Sequence, residues 1–166
     1  MYICKSKEPM KLSEHLTLAE VIRSDTAKRN GISNIPTDNH LDSLKILAEK
    51  IFEPVRTHFD VPIYVSSGYR SAELNKLIKG ATSSQHLKGE ALDLDQDGSP
   101  YGITNANVFN YIKDHLSFDQ LIWEAGNNQN PDWVHVSFNT SSGGIQRKQV
   151  LRMTKFGGAI QYLPYK

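Results

Sequence analysis

The clearest hydrophobic pattern in this chain runs from about Asn39 to Phe59. Leu41, Leu44, Leu47, Ala48, Ile51, Phe52, Val55 and Phe59 recur at helical spacing and mark one apolar face. Thr37 or Asp38 can cap the start of this helix. Pro54 cannot donate to the carbonyl of Lys50 and its ring clashes there, which predicts a kink. Shorter helices are predicted after Thr17, over 25–31 with an end at Gly31, and after Ser71, where Leu74, Leu77 and Ile78 precede Gly80. A further helix follows Thr104, with Val108, Tyr111, Ile112 and Leu116 on its buried face. Strands are predicted over 62–66, 90–95, 119–124 and 133–138, with an edge strand over 148–153. In two of them the alternation is regular. Leu92 and Leu94 share one parity and Ala91, Asp93 and Asp95 the other; Val134, Val136 and Phe138 alternate with Trp133, His135 and Ser137. Helices precede and interrupt the strands without regular βαβ order. The expected class is α+β, a small antiparallel sheet with helices packed on one side and its other face free to carry a site.

Composition changes this picture little. With 166 residues, 39% apolar and 22% charged, the chain reads as one ordinary globular domain over 16–166, preceded by a polar segment, 1–15, expected to be disordered. A net charge of +1 excludes strong attraction to nucleic acid or to an anionic membrane. No apolar run is long enough to span a bilayer, and Met1–His15 lacks the apolar core of a signal peptide. The expectation is a monomer that accumulates in the cytoplasm. The one cysteine, Cys4, allows no intrachain disulfide and is given no role.

The alternation matters because of what it presents. The segment Ser84-Gln85-His86-Leu87-Lys88-Gly89-Glu90-Ala91-Leu92-Asp93 carries a histidine and an aspartate, and Gly89 permits a turn between them. Asp132-Trp133-Val134-His135-Val136-Ser137 adds another carboxylate and another histidine. In both segments the apolar neighbours point inward and the candidate ligand outward. His86, Asp93 and His135 together have the inventory of a catalytic zinc site: three protein ligands, an open position for water, and a carboxylate nearby. His15, His40, His58 and His115 have no such context and read as surface or hydrogen-bonded histidines. Asp93-Leu94-Asp95-Gln96-Asp97-Gly98 imitates the start of an EF-hand loop, but Thr104 stands where that loop needs a bidentate Glu. Asp95, Asp97 and Gly98 read instead as a turn after the strand.

With these residues assembled, the chain resembles the zinc D-alanyl-D-alanine carboxypeptidases and their phage endolysin relatives, which cleave peptidoglycan stem peptides. The signature S-x-H-x-x-G-x-A-x-D is met by Ser84, His86, Gly89, Ala91 and Asp93, and the W-x-H strand by Trp133 and His135. Ser67-Gly68-Tyr69-Arg70-Ser71 is similar to the family's SGYRS segment, and the Asp119-Gln120-Leu121-Ile122 strand is also familiar. The resemblance covers roughly residues 16–155. It implies a fold shared with lysostaphin-type peptidases and hedgehog domains, with zinc on His86, Asp93 and His135.

It further implies that the acidic residue three positions before the last histidine, Asp132, is the general base. Several members carry Glu at that position, one methylene longer, and Glu124 is the fallback. Arg70 would stabilise the oxyanion or grip a substrate carboxylate, and Ser84 and Ser137 would contact ligands or the peptide. The scissile bond is left open between a terminal D-Ala and a bond within the stem. Without a separate wall-binding domain, the layout suits a phage or prophage lysis enzyme. The rival reading is a catalytically inactive zinc-binding recognition module of the same fold.

Overall fold

The computed structural model describes residues 9–166; Cys4 lies outside the described residues. The described residues form six α-helices, a π-helical turn, a 3₁₀ turn and six strands. Helix α1 is Leu18–Ile22, α2 Asp25–Arg29 and α3 Asp38–Leu47, continued through a π-helical turn, Ala48–Phe52, into α4, Glu53–Phe59. After β1 (Val65–Ser67) come α5 (Ala72–Leu77), a 3₁₀ turn at Gln85–Lys88, β2 (Ala91–Leu94) and α6 (Asn105–His115). The strands β3 (Gln120–Glu124), β4 (Trp133–Ser137), β5 (Gln149–Phe156) and β6 (Ala159–Pro164) complete the fold.

Helix starts follow local chemistry. Thr17 and Thr104 form capping boxes with Glu20 and Asn107, and the hydroxyls of Thr37 and Ser71 accept from the amides of His40 and Leu74. Pro54 breaks one rule of a long helix, and the chain answers by widening a turn. The Glu53 amide reaches back to the Ala48 carbonyl, and α4 restarts with Pro54 in its first turn, where a missing N–H costs nothing.

The strands form one sheet in the order β1-β2-β4-β3-β5-β6. Its pairs are antiparallel except β3 with β5, which run parallel. The architecture is therefore α+β as expected, but the sheet is mixed rather than purely antiparallel. The connection from β4 to β5 skips over β3, and that crossover is what makes the pair parallel. Strand β6 was not anticipated. It pairs with β5 as a hairpin closed by Gly157 and Gly158, both at positive φ. That is the backbone a two-residue turn requires.

One face of the sheet carries the core. Leu92, Leu94, Leu121, Trp123, Val134 and Val136 are buried against Val21, Leu44, Ile51, Phe52, Val108, Phe109 and Ile112 from α1, α3, the π turn and α6. Leu12 and Leu16 join this core, and Lys11 makes a bridge with Thr17. The expectation of disorder over 1–15 is thus corrected for its second half: an apolar Leu12 has core to bury against. The opposite parity, Asp93, His135, Ile122 and Glu124, lies on the other face, with Asp93 across from His135 and Ile122 across from His135 on its other side.

Candidate metal centre

Two strands and one loop build the site. Asp93 on β2 and His135 on β4 are direct cross-strand partners, so the period-two rule that buries Leu92, Leu94, Val134 and Val136 also brings these two side chains together. His86 arrives from the 3₁₀ turn. The reversal into β2 passes through Gly89 at φ +70°, where a Cβ would lie 2.5 Å from the His40 carbonyl oxygen, so both conformation and space demand glycine.

The Ser67–Ser71 segment holds His86 from the other side. The His86 Nδ1–H donates to the Gly68 carbonyl at 2.6 Å, and the Arg70 amide donates to the His86 carbonyl at 3.1 Å. This tautomer leaves Nε2 with its lone pair turned toward the other ligands. Gly68 is required by packing, because a Cβ there would sit 2.6 Å from the Val21 carbonyl oxygen. Asn34 locks the same segment: its amide nitrogen donates to the Ile22 and Tyr69 carbonyls and its oxygen accepts from the Ser71 amide. Nothing in the local sequence around Asn34 signals this role; its partners are distant in the chain.

His86 Nε2 lies 3.2 Å from His135 Nδ1, and Asp93 Oδ1 lies 3.2 Å from His86 Nε2 and 2.9 Å from His135 Nδ1. The three donor atoms all fall within 4.8 Å of one another, and all three residues are largely buried. Two imidazole nitrogens and a carboxylate converging in a buried space form a donor set that fits a divalent cation, since each offers a lone pair toward a common point. Burial pushes the Asp93 carboxyl upward. The neighbouring imidazoles outweigh it by charge and hydrogen bonding, and the group sits well below the usual carboxylate range.

The other candidates are placed as follows. Arg70 donates from Nη2 to Asp93 Oδ2 at 2.8 Å and from Nε to the Ser67 hydroxyl at 3.1 Å, so the guanidinium braces a ligand. It also lines a cleft of about 450 Å³ shared with Arg23, Ser66, Ser67 and Tyr69, which none of the three cluster residues lines. Asp132 is exposed at the head of β4; its amide donates to the Glu124 carbonyl and its own carbonyl accepts from Asn105. Ser84 is half-buried just before the 3₁₀ turn. The expectation that Ser137 contacts substrate is corrected: it is fully buried, and its hydroxyl accepts from the Gln120 amide and donates to the Gln120 carbonyl, stapling β4 to β3.

Glu124, the fallback carboxylate, lies on the same sheet face as the cluster. It pairs with Trp133, one step along the site face from the Ile122–His135 pair. It is buried, and its Oε2 has no hydrogen-bond partner among the described residues. Burial, reinforced by the Asp93 charge and opposed by His135 and Arg70, pushes its carboxyl up to about 7. The signal was available in its parity with Ile122, but the residue ends its strand and resembles a surface carboxylate.

With this geometry, a comparison with known families is decisive. The family described as Peptidase M15 matches residues 14–137, about three quarters of the chain. The chain belongs to that family. No curated protein matches it closely enough to be counted a relative. M15 peptidases are typically zinc-dependent, and the His86–Asp93–His135 cluster of this member is a site of the right kind for a metal ion. The matched segment holds all three metal-ligand candidates, Arg70, Glu124 and Asp132, and it ends at the close of β4. The β5–β6 hairpin lies beyond it. Among the described residues no helix is long and apolar enough to cross a membrane.

Proposed function

We propose that this M15 member is a zinc metallopeptidase that hydrolyses peptide bonds in peptidoglycan stem peptides, as a D-Ala-D-Ala carboxypeptidase or an endolysin-type endopeptidase, and that it acts at the bacterial cell wall. One observation carries the reading: a buried, unpartnered Glu124 shares a sheet face with a convergent His86–Asp93–His135 cluster. A structural carboxylate would be paired; an unpaired one beside a metal-type donor set is arranged for proton transfer.

His86, Asp93 and His135 would hold the zinc. A zinc ion in such a set supplies Lewis acidity, polarising a carbonyl and making water easier to deprotonate near neutral pH. Glu124 is the general base in this proposal, in preference to the exposed Asp132. Its carboxylate would take a proton from the attacking water and pass it to the departing amine. Arg70 keeps Asp93 oriented and ionised through their 2.8 Å contact. Arg23, in the cleft that Arg70 also lines, offers a cation to a carboxylate of the stem peptide, and Ser84 is a candidate substrate contact.

The test is mass spectrometry of muropeptides incubated with the zinc-loaded protein, with His135→Ala as control. A lost terminal D-Ala or a cut within the stem names the bond. Glu124→Gln is expected to keep zinc and lose at least about 10²-fold in kcat, while Asp132→Asn changes it by less than about threefold. The opposite pattern returns the base to Asp132. Muropeptides left intact by wild-type protein with zinc bound would favour the recognition module.

A further inference from the structure

The site face continues past the family's matched segment. Glu124 on β3 pairs with Trp133 on one side. On the other, the parallel register Ile122↔Leu151 and Trp123↔Arg152 brings Glu124 one step further, beside Met153. Met153 in turn pairs with Tyr162 on β6. Trp133, Glu124, Met153 and Tyr162 therefore form one cross-strand row on the metal face. Strands are spaced about 4.8 Å apart, so Tyr162 stands some 10 Å from Glu124 at the backbone, on the same face of the sheet.

Two properties single out Tyr162. Met153 beneath it is buried, yet Tyr162 itself is 49% exposed, so its ring walls the face without being sealed into it. Its phenol is pushed above the usual tyrosine value, by burial first and then by the charges of Glu124 and Asp93, with Arg70 opposing. The hydroxyl is thus within electrostatic reach of all three groups and remains an O–H donor at neutral pH.

The chemistry has a vacancy for such a donor. Peptide hydrolysis develops negative charge on the carbonyl oxygen, and a preorganised donor there is a large part of catalysis. Arg70 is committed to Asp93 and Ser67, on the β1–β2 side of the cluster. Across the sheet the order is Arg70 with Asp93, then His135, Glu124, Met153 and Tyr162, so a substrate over the cluster meets Tyr162 from the side opposite Arg70. We propose that Tyr162 is a catalytic residue of this site, its hydroxyl donating a hydrogen bond to the scissile carbonyl oxygen as negative charge develops there. This rests on the peptidase reading. It adds to the matched M15 segment a donor supplied by this chain's own C-terminal hairpin.

The experiment compares wild type, Tyr162→Phe and Trp133→Phe, the last removing the other donor in the row. Each is loaded with zinc and assayed on the muropeptide that wild type cuts. Binding of a phosphinate analogue of the tetrahedral intermediate is measured alongside. Tyr162→Phe is expected to lower kcat about 10²-fold with KM within about threefold, zinc content and Tm unchanged, and analogue affinity reduced in step with kcat/KM. Wild-type kcat and analogue affinity in Tyr162→Phe overturn the proposal, as does a loss confined to Trp133→Phe. A fall in zinc content or Tm matching the fall in rate overturns it too, making Tyr162 structural. A wild-type protein that neither cuts muropeptides nor binds the analogue sinks the peptidase reading itself. That result is distinct, because it shows before any variant is compared.

Discussion

Gly68 shows how much a single position can carry. It has no side chain, yet its carbonyl sets the His86 tautomer and its Cα packs directly on Val21. Gly68→Ala is expected to push the segment off Val21, cost about 1–3 kcal/mol of stability, and weaken zinc binding about 10- to 100-fold. Isothermal titration with zinc beside a thermal melt separates the two effects. Glu124 makes a second prediction at this scale. Its folded carboxyl, at about 7, lies above the ordinary 4.5. A raised carboxyl favours the folded state while protonated; that contribution is complete below pH 4.5 and is lost as pH rises through about 7. In metal-free protein, Glu124→Gln should therefore gain on wild type between pH 5 and 8, by up to about 3 kcal/mol. Urea melts at the two pH values check it, and equal stability differences at both would remove the burial cost assigned to Glu124.

Elements obey local rules until tertiary contacts reassign them. The caps at Thr17, Thr37, Ser71 and Thr104 were legible because a cap needs only the hydroxyl and the next three residues. The parity of β2 and β4 was legible for the same reason, and it carried Asp93 and His135 to one face. The π turn before Pro54 was not, because a proline reports a lost hydrogen bond without saying how the helix recovers. Nor was β6 anticipated, although Gly157-Gly158 was a turn signal between two stretches able to pair. Those glycines now carry a prediction. Gly158→Ala meets open space but a φ of +82°, and should cost the hairpin about 1–2 kcal/mol. Hydrogen exchange should accelerate in β5 and β6 and not in β2 or β4, and kcat should fall while zinc affinity holds.

At the scale of the molecule, a metal would be an addition to a fold that has its own core. The buried residues of α1, α3, the π turn and α6 pack on one sheet face without help from the cluster. Chelation should therefore lower Tm by the linkage of zinc binding, several degrees at saturating metal, without unfolding the chain. Leu94→Ala, by contrast, opens a cavity behind Asp93 and should cost about 2–5 kcal/mol with or without zinc. Circular dichroism melts with and without chelator distinguish the two, and a chelated chain without a cooperative transition would show that the cluster holds the fold together. The α+β class and the convergence of His86, Asp93 and His135 were readable from the chain because alternation and ligand chemistry are local, short-range facts. The tertiary structure alone decided the rest: that β3 and β5 run parallel, that Arg70 spends its charge on Asp93, that Ser137 is a staple, and that Glu124 is sealed beside the cluster. Each of these depends on which distant strand or side chain arrives alongside, and burial and charge coupling exist only once it has.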